Sequence, residues 1–378
     1  MVLDLCFDPI DLVRRHIRIK HEYEDKLSEN QKRRAQRDHH SKRRPRHCGL
    51  TVHLTVGGCP FRCAYCYIYD MGFDSNPRPN PLTPEELVYA LLSNQHFISG
   101  RYGTLIAIGS VSEPFIYPDR AMSYLREMAR LGNPIQFSTK SYISRSYAND
   151  IAKLGAPINP LVTIVTTRLE DLLEPYAPSV DKRLKTMENL SSAGLRVCLF
   201  LRPIIVGVNY SEAKEIMTLA REHGAKCVVI GSFRITYRIY QLLRNLSLDL
   251  SEIERRINIK VLDRKPKKQI TVPLTAKEKN ELISLARSLG LVPFKSACCA
   301  NSNNAGVICP SICFETNFCT GCPNRCWEKP RPNLSSIRAA LKLLGIDVKI
   351  GIKNGKIYVS RHGHDPVIQL LARRLIEH

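Results

Sequence analysis

The sequence predicts an α/β fold: a partial (β/α)6 barrel, followed by a cysteine-rich metal-binding segment and a small C-terminal αββα unit. Between residues 49 and 240, short apolar runs alternate six times with helical stretches. Six β-then-α units in series imply right-handed crossovers and a parallel sheet. The 378 residues are 44% hydrophobic, which is enough for a buried core and excludes disorder throughout.

The six predicted strands are nearly all-apolar runs rich in valine and isoleucine, which is typical of strands covered on both faces. They span residues 49–56, 105–110, 134–140, 161–167, 196–203 and 226–232. The helices between them are predicted to begin after Thr83 and to cover about 119–131, 144–154, 180–193 and 211–223. Periodicity leaves open whether the sheet closes, and six units suit a partial barrel.

The alternation stops near residue 240, so residues 48–240 are expected to form the core. Residues 241–295 predict a helical extension, including a capped amphipathic helix at 275–290. Residues 296–330 are rich in Cys, Asn and Pro and lack periodicity, so we expect metal rather than a hydrophobic core to fold them.

The C-terminal unit, residues 331–378, predicts a helix at 334–344, strands at 347–352 and 357–360, and a helix at 365–377. Asn354-Gly355 between the two strands is a strong hairpin signal.

The formal net charge is +21. Either a charged surface of the kind found in thermophiles or a polyanionic partner, most simply RNA or DNA, accounts for such an excess. Clustering favours the polyanion, because residues 26–46 hold nine Lys and Arg residues with few acids nearby. This block predicts a mobile basic arm, and residues 1–47 together are interpreted as a basic N-terminal arm that either covers the active site or trails free.

Composition also limits where the protein works. No apolar run is long enough for a membrane span, and the N-terminus lacks the apolar stretch of a signal peptide, so we expect a cytoplasmic protein without membrane contact. Fourteen cysteines in a long chain of this kind favour metal ligation over disulfides. Cys198 and Cys227 lie in apolar strands and are interpreted as small core residues.

The central motif is C-x3-C-x2-C, formed by Cys59, Cys63 and Cys66 directly after the first strand. Three thiolates on a short loop can hold three corners of a 4Fe–4S cluster and leave the fourth iron open, as a catalytic metal site requires. Structural zinc is the alternative and needs a fourth ligand, for which His53 is the nearest candidate. The end of the first strand is where parallel-sheet folds build active sites.

This motif resembles that of the radical S-adenosylmethionine (SAM) superfamily, and the core resembles the spore photoproduct lyase-related group. The supporting segments are residues 65–67, 109–114, 138–140, 174–175 and 202–204. The resemblance implies a radical SAM enzyme with a partial barrel of that type. In such enzymes SAM chelates the open iron, and one electron from a donor such as ferredoxin or flavodoxin yields a 5′-deoxyadenosyl radical.

The resemblance also implies roles for individual residues. Ser112 and Glu113 would contact the SAM amino group, with a simple turn before Pro114 as the alternative. The other cofactor-binding candidates are Ser138 and Lys140 for the carboxylate or ribose, and Tyr65 and Tyr67 beside the cluster and adenine. A solvated strand end is the alternative for Lys140. Arg202 is a candidate catalytic residue, because a buried charge at a strand end otherwise needs a partner.

One departure from the group concerns the reaction itself. Photoproduct lyases carry a hydrogen-donating cysteine just ahead of the Ser-acid pair, and this chain has Ser110-Val111 there. Repair of thymine dimers by that mechanism is therefore not predicted.

A second cysteine group predicts a second metal site. It comprises Cys309, Cys313, Cys319, Cys322 and Cys326, with Cys298 and Cys299 upstream. An auxiliary 4Fe–4S cluster is favoured over zinc, with free or oxidised thiols as the remaining alternative. The spacing loosely resembles the auxiliary-cluster extension (SPASM-type) of peptide-modifying radical SAM enzymes.

Three substrate hypotheses follow. Modification of RNA or DNA is favoured by the basic block and the cationic C-terminal unit. A peptide- or protein-modifying enzyme with an auxiliary cluster is the second. A non-catalytic basic binding module with structural clusters is the third.

Overall fold

The computed structural model describes residues 7–45, 49–264, 267–309, 322–326, 329–360, 365–373 and 376–377. The helices are α1 Pro9–Lys26, α2 Glu29–Arg37, α3 Pro84–Leu92, α4 Pro118–Ala129, α5 Arg145–Ala152, α6 Glu170–Leu173, α7 Val180–Ser192, α8 Ala213–Glu222, α9 Tyr237–Asn245, α10 Ser251–Arg256, α11 Ile259–Arg264, α12 Ala276–Ser288, α13 Ala297–Ala305, α14 Leu334–Leu343 and α15 Pro366–Ala372. The strands are β1 Leu50–Val52, β2 Thr55–Val56, β3 Arg78–Pro79, β4 Ile106–Ile108, β5 Ile135–Thr139, β6 Ile158–Thr163, β7 Cys198–Ile204, β8 Cys227–Ile235, β9 Ile270–Val272, β10 Val292–Phe294, β11 Ile350–Lys353, β12 Lys356–Val359 and β13 Ile376–Glu377.

The main sheet confirms the α/β prediction. Its strands follow the order β1-β4-β5-β6-β7-β8-β10, all parallel, and β9 adds to β8 in the antiparallel sense. The strands do not close into a full barrel, and each of the six predicted βα units is present. Helices α3, α4, α5, α7 and α8 cover the outer face, where their apolar sides join the largest core cluster.

The structure differs from the strand prediction at three places: the first strand, the fourth strand, which runs Ile158–Thr163 instead of 161–167, and the extension 241–295, which was predicted to be helical but contains β9 and β10. The expected first strand at 49–56 divides at His53, whose backbone N–H donates to His40 Nε2 (3.0 Å) and whose carbonyl accepts from Asn80 Nδ2 (2.7 Å). These bonds replace ladder partners, so β2 pairs instead with β3. The seventh parallel strand, β10, was missed because three residues containing Pro293 carry no periodic signal.

The prediction of a mobile basic arm is wrong for the described part of residues 1–47. Helices α1 and α2 pack against α3 and α14 and bury one face, including Leu12, Val13 and Ile19. Arg34, a member of the basic block, forms an ion pair (2.6 Å) with the buried carboxylate of Glu86. A helix with a buried apolar stripe and local charge pairing is held in place, even when its sequence is strongly basic.

The cysteine-rich segment also departs from expectation, because residues 297–305 form helix α13. This helix buries Cys298, Cys299 and Ala300 against β10 and the amino ends of the barrel strands. Cys198 and Cys227 lie opposite each other in the same cluster, which confirms them as core residues.

The C-terminal unit has the predicted helix and hairpin, but its last helix is shorter. Asn354 and Gly355 both have positive φ (+49° and +75°), as a two-residue hairpin turn requires. Helix α15 ends at Ala372 instead of residue 377, and β13 then pairs in parallel with β12. Among the described helices, none is long and apolar enough to cross a membrane.

Candidate active site

The three cysteines of the C-x3-C-x2-C motif lie on the loop between β2 and β3, just beyond the carboxyl end of β1. Cys63 is buried, Cys59 and Cys66 are half-buried, and all three thiols are free. The loop begins at Gly58, which has φ +129° and whose added Cβ would lie 1.9 Å from the Asp74 carbonyl oxygen. That carbonyl accepts from the Cys59 N–H at 3.1 Å, so only glycine allows the two backbones to approach here.

Two other parts of the barrel hold this loop in place. The Ala64 N–H donates to the Leu173 carbonyl (2.8 Å), which ties the loop to α6 beyond β6. Arg238, on α9 beyond β8, donates to the Cys66 carbonyl (2.5 Å) and to the Asp70 carboxylate (3.0 Å). The loop is therefore attached at both sides of the carboxyl face of the sheet.

The chemistry of the three thiols fits an iron–sulfur cluster. Burial raises the pKa of Cys59, Cys63 and Cys66, that of Cys63 to about 12. Without a metal, neutral thiols are therefore favoured, and a bound cation is what converts coordinating thiols to thiolates.

His53 does not complete a zinc site with these cysteines. Its Nε2 lies 2.6 Å from the Arg43 guanidinium, and its ring packs beside those of His39 and His40. Nitrogen atoms of the three histidines lie within 4.8 Å of one another. However, His40 uses both of its nitrogens, one toward Asp38 (2.6 Å) and one to accept the His53 N–H.

Lys140 reaches the cysteine loop from the carboxyl end of β5. Its Nζ lies 3.7 Å from the Glu174 carboxylate and 5.5 Å from the centre of the Tyr65 ring. Burial alone would lower the pKa of Lys140, but Cys63 and Glu174 raise it above its ordinary value. A positive charge is therefore maintained beside the cysteines.

Glu174 connects the residues around Lys140, and the sequence analysis missed this role. The Tyr65 hydroxyl and the Arg183 guanidinium both donate to its carboxylate, and the Glu174 and Arg183 side chains are almost fully buried. No local pattern marks this pair, because Arg183 follows on α7 and the two meet only through tertiary packing.

Ser112 and Glu113 lie between β4 and β5 in different environments. The Glu113 carboxylate accepts hydrogen bonds from the Thr139 hydroxyl (2.5 Å), the Lys140 N–H (2.9 Å) and the Phe115 N–H (3.3 Å). Burial raises the pKa of Glu113. Ser112 Oγ, by contrast, is buried with no hydrogen-bond partner in the described part of the chain, so this hydroxyl is available to a ligand.

The remaining candidates are spread along the carboxyl face. Ser138 donates to the Gly109 carbonyl (3.0 Å), and the Arg234 guanidinium lies 5.9 Å from the centre of the Tyr67 ring. Arg202, on β7, lies across Gly231, where an added Cβ would meet its Cδ at 2.4 Å. Among the described residues, the Arg202 side chain has neither a hydrogen bond nor an ion pair.

The second cysteine group lies toward the opposite, amino end of the strands. Cys309 packs with Cys298 and Cys299 beside the first residues of β7 and β8. Burial raises the pKa of Cys326, and the nearby Cys309 and Cys322 thiols raise it further. Cys313 and Cys319, predicted as ligands of the same site, lie outside the described residues.

Comparisons with known proteins found one family model and several similar solved structures. The family model of the radical SAM superfamily matches residues 54–220. A substituted spore photoproduct lyase with bound SAM and dinucleoside spore photoproduct is 16% identical, with a TM-score of 0.50 over 67% of this chain and 76% of that one. A radical SAM methyltransferase from Sphaerobacter thermophilus is 17% identical, with a TM-score of 0.43 over 64% of each chain. No curated protein sequence matches, and at these identities the structural likeness is one of fold.

Proposed function

We propose that this chain, which carries a radical SAM domain over residues 54–220 and is an enzyme of the radical SAM type, modifies a nucleic acid. The family implies a 4Fe–4S cluster and SAM, which together supply reductive cleavage of SAM and abstraction of a hydrogen atom from the substrate. The observation that carries the substrate class is charge: 56 Lys and Arg residues face 35 Asp and Glu residues. Such an excess supplies affinity for a phosphate backbone.

Different residues of the candidate site would bind the 4Fe–4S cluster and SAM. Cys59, Cys63 and Cys66 would hold the cluster. The unpartnered hydroxyl of Ser112 would accept a hydrogen bond from the SAM amino group. Lys140, held cationic by its surroundings, would attract the SAM carboxylate.

Arg202 and the hydrogen-bonded residues take supporting roles. Glu113 would fix the ends of β4 and β5 through its three hydrogen bonds, and its carboxylate would accept a further hydrogen bond from the SAM amino group. The side chains of Ser138, Tyr65 and Tyr67 would line the same SAM-binding site. Arg202 has no protein partner among the described residues, so a substrate phosphate or the SAM carboxylate would complete its hydrogen bonding.

We also propose a second metal site that uses Cys309, Cys322 and Cys326, completed by cysteines outside the described residues. Burial and the two neighbouring thiols raise the pKa of Cys326, so without a metal its thiol stays protonated. A bound metal ion would displace the thiol protons and stabilise the thiolates. An auxiliary 4Fe–4S cluster remains favoured over zinc.

The experiment is anaerobic incubation of the reconstituted protein with SAM and dithionite, using separate pools of cellular RNA and DNA. Mass spectrometry would quantify modified nucleosides and 5′-deoxyadenosine, with the Cys63→Ser variant as the control without radical chemistry. A new nucleoside mass, absent from the control, is expected. Deoxyadenosine without an altered nucleoside would contradict a nucleic-acid substrate and favour the peptide-modifying alternative, which the second cysteine group supports.

A further inference from the structure

Exposed apolar side chains are concentrated at one edge of the barrel. Seven large apolar residues are exposed among those described, and five follow the carboxyl ends of main-sheet strands or the cysteine loop: Met71, Tyr142, Leu172, Tyr176 and Leu242. We name this edge the barrel mouth, defined by these five residues together with Arg62 and Arg234. Because the carboxyl ends of parallel strands lie at one edge of a sheet, the segments that carry these residues share the edge that carries the cysteine loop.

Arginine side chains accompany aromatic rings at the barrel mouth. The Arg62 guanidinium lies 5.5 Å from the centre of the Tyr176 ring, and that ring is 62% exposed. Arg62 immediately precedes Cys63, and its position is fixed because its backbone N–H donates to the Tyr69 hydroxyl (3.1 Å) and its guanidinium to Ser75 Oγ (2.9 Å). Arg234, which is exposed, lies beside Tyr67 in the same way.

These two guanidinium groups are not neutralised by the protein. Neither Arg62 nor Arg234 pairs with a carboxylate in the part of the chain that the structure describes. Arg238, which also lies over a tyrosine ring, differs because Asp70 neutralises it. The barrel mouth therefore combines exposed rings with uncompensated positive charge, which suits an anionic partner that also has flat apolar faces.

We propose that the barrel mouth binds a single-stranded segment of nucleic acid, with an unpaired base stacked on Tyr176 and phosphates contacted by Arg62 and Arg234. Unpaired bases offer faces for stacking on aromatic rings, while adjacent cations follow the phosphates. Bases within a duplex are stacked on each other, so Tyr176 has no free face to meet. This inference rests on the nucleic-acid substrate proposed above and narrows it to unpaired strands.

The test is fluorescence anisotropy with the full-length, cluster-loaded protein and short labelled RNA and DNA oligonucleotides, single-stranded and as duplexes of equal length. Single strands are expected to bind more tightly than duplexes. Tyr176→Ala should weaken single-strand binding about tenfold, whereas Tyr176→Phe should retain it. Arg234→Gln should reduce the slope of log affinity against log salt by about 0.7. Comparing RNA with DNA identifies which sugar is preferred.

Leu343→Ala is the matched control, because Leu343 is also exposed but lies in the C-terminal unit, and its binding should equal that of the unchanged protein. Visible absorbance of each variant checks that the cluster is retained. Equal or tighter duplex binding, an unchanged Tyr176→Ala variant, or equally strong competition by an acidic peptide would overturn the inference. If the protein binds only duplexes, and does so in a salt-dependent way, the single-strand inference is wrong but the proposed nucleic-acid substrate is still supported. If it binds neither single strands nor duplexes, both proposals are wrong.

Discussion

At the scale of single residues, the candidate site depends on one buried carboxylate. Glu174 receives hydrogen bonds from Tyr65 and Arg183 and forms an ion pair with Lys140. Lys140 and Arg183 therefore share this carboxylate in a nearly dry environment, and Arg183 has a second, longer ion pair with Glu170 (3.7 Å). Desolvation makes each of these charges costly when left alone, so the arrangement keeps its geometry only while all of them are present.

Replacing Glu174 tests this dependence. Glu174→Gln should lower the free energy of unfolding by about 3 kcal/mol, because Arg183 would remain buried and keep only its longer ion pair with the partly exposed Glu170 (3.7 Å). Denaturant unfolding of the anaerobic protein measures this change. Glu215→Gln is the control, since its ion pair with Arg168 (2.6 Å) is exposed and its loss should leave stability near that of the unchanged protein. Similar losses of unfolding free energy in the two variants would show that the buried Glu174 carboxylate contributes no more to stability than an exposed one.

A pair of glycines in the cysteine loop gives a second test. Gly58→Ala should prevent assembly of the cluster, because the new Cβ would overlap the Asp74 carbonyl and displace Cys59. Gly72→Ala is the matched variant: Gly72 also has positive φ (+86°) but no atom lies within 4 Å of its Cβ position. Iron content and visible absorbance after reconstitution measure the outcome. Equal iron in both variants would mean that the Gly58 backbone contact does not shape the site.

At the scale of elements, the N-terminal helices show how charge can conceal a packed structure. Helix α1 buries Leu12, His16, Ile19 and Tyr23, which follow one another at helical spacing, while charged residues cover its other faces. Helix α2 is fixed by a capping box between Ser28 and Gln31. Both helices are amphipathic, and several cations of the basic block contact the rest of the chain: Lys26 pairs with Glu127 (3.8 Å), Arg34 with Glu86 (2.6 Å), and the Arg43 guanidinium lies 2.6 Å from His53 Nε2.

Limited proteolysis distinguishes packed helices from a mobile arm. Under native conditions, trypsin should cut at Lys267 or Lys268 well before any bond between Lys26 and Arg37. The first pair is exposed in a turn before β9, whereas cleavage in α1 or α2 requires local unfolding. Mass spectrometry of early fragments measures the order of cleavage. Equally early cleavage in both segments would support the mobile arm that the sequence predicts.

The elements that sequence predicted and those it missed differ in physical character. The six barrel strands were predicted because each is a continuous apolar run, and the cysteine loop because its ligand spacing is local. Strand β10 was missed because it is three residues long, and α1 because charge outweighed its apolar stripe. In the site, the Glu174–Arg183 pair and the unpartnered Ser112 hydroxyl depend on tertiary contacts, which no local pattern encodes.

At the scale of the whole molecule, the two cysteine groups lie at opposite ends of the barrel strands. Cys59, Cys63 and Cys66 follow the carboxyl end of β1, whereas Cys309 packs near the first residues of β7 and β8. Arg373 of the C-terminal unit donates to the Ile308 carbonyl (2.9 Å), next to Cys309. Cys309 therefore lies where the barrel meets the C-terminal unit, at the opposite end of the strands from the cysteine loop.

Removing one ligand from the second group tests whether the two ends are independent. Cys322→Ala should lose the second metal and loosen the segment around α13, because the metal supplies much of its folding free energy. The first cluster should keep its electron paramagnetic resonance signal and the change in that signal when SAM is added, since none of its ligands is affected.

Cys227→Ala is the control, as it removes a buried thiol from the neighbouring core without a proposed ligand role. Iron and zinc analysis, together with hydrogen exchange over residues 297–305, measures both effects. Loss of both metals, or of neither, would contradict separate sites.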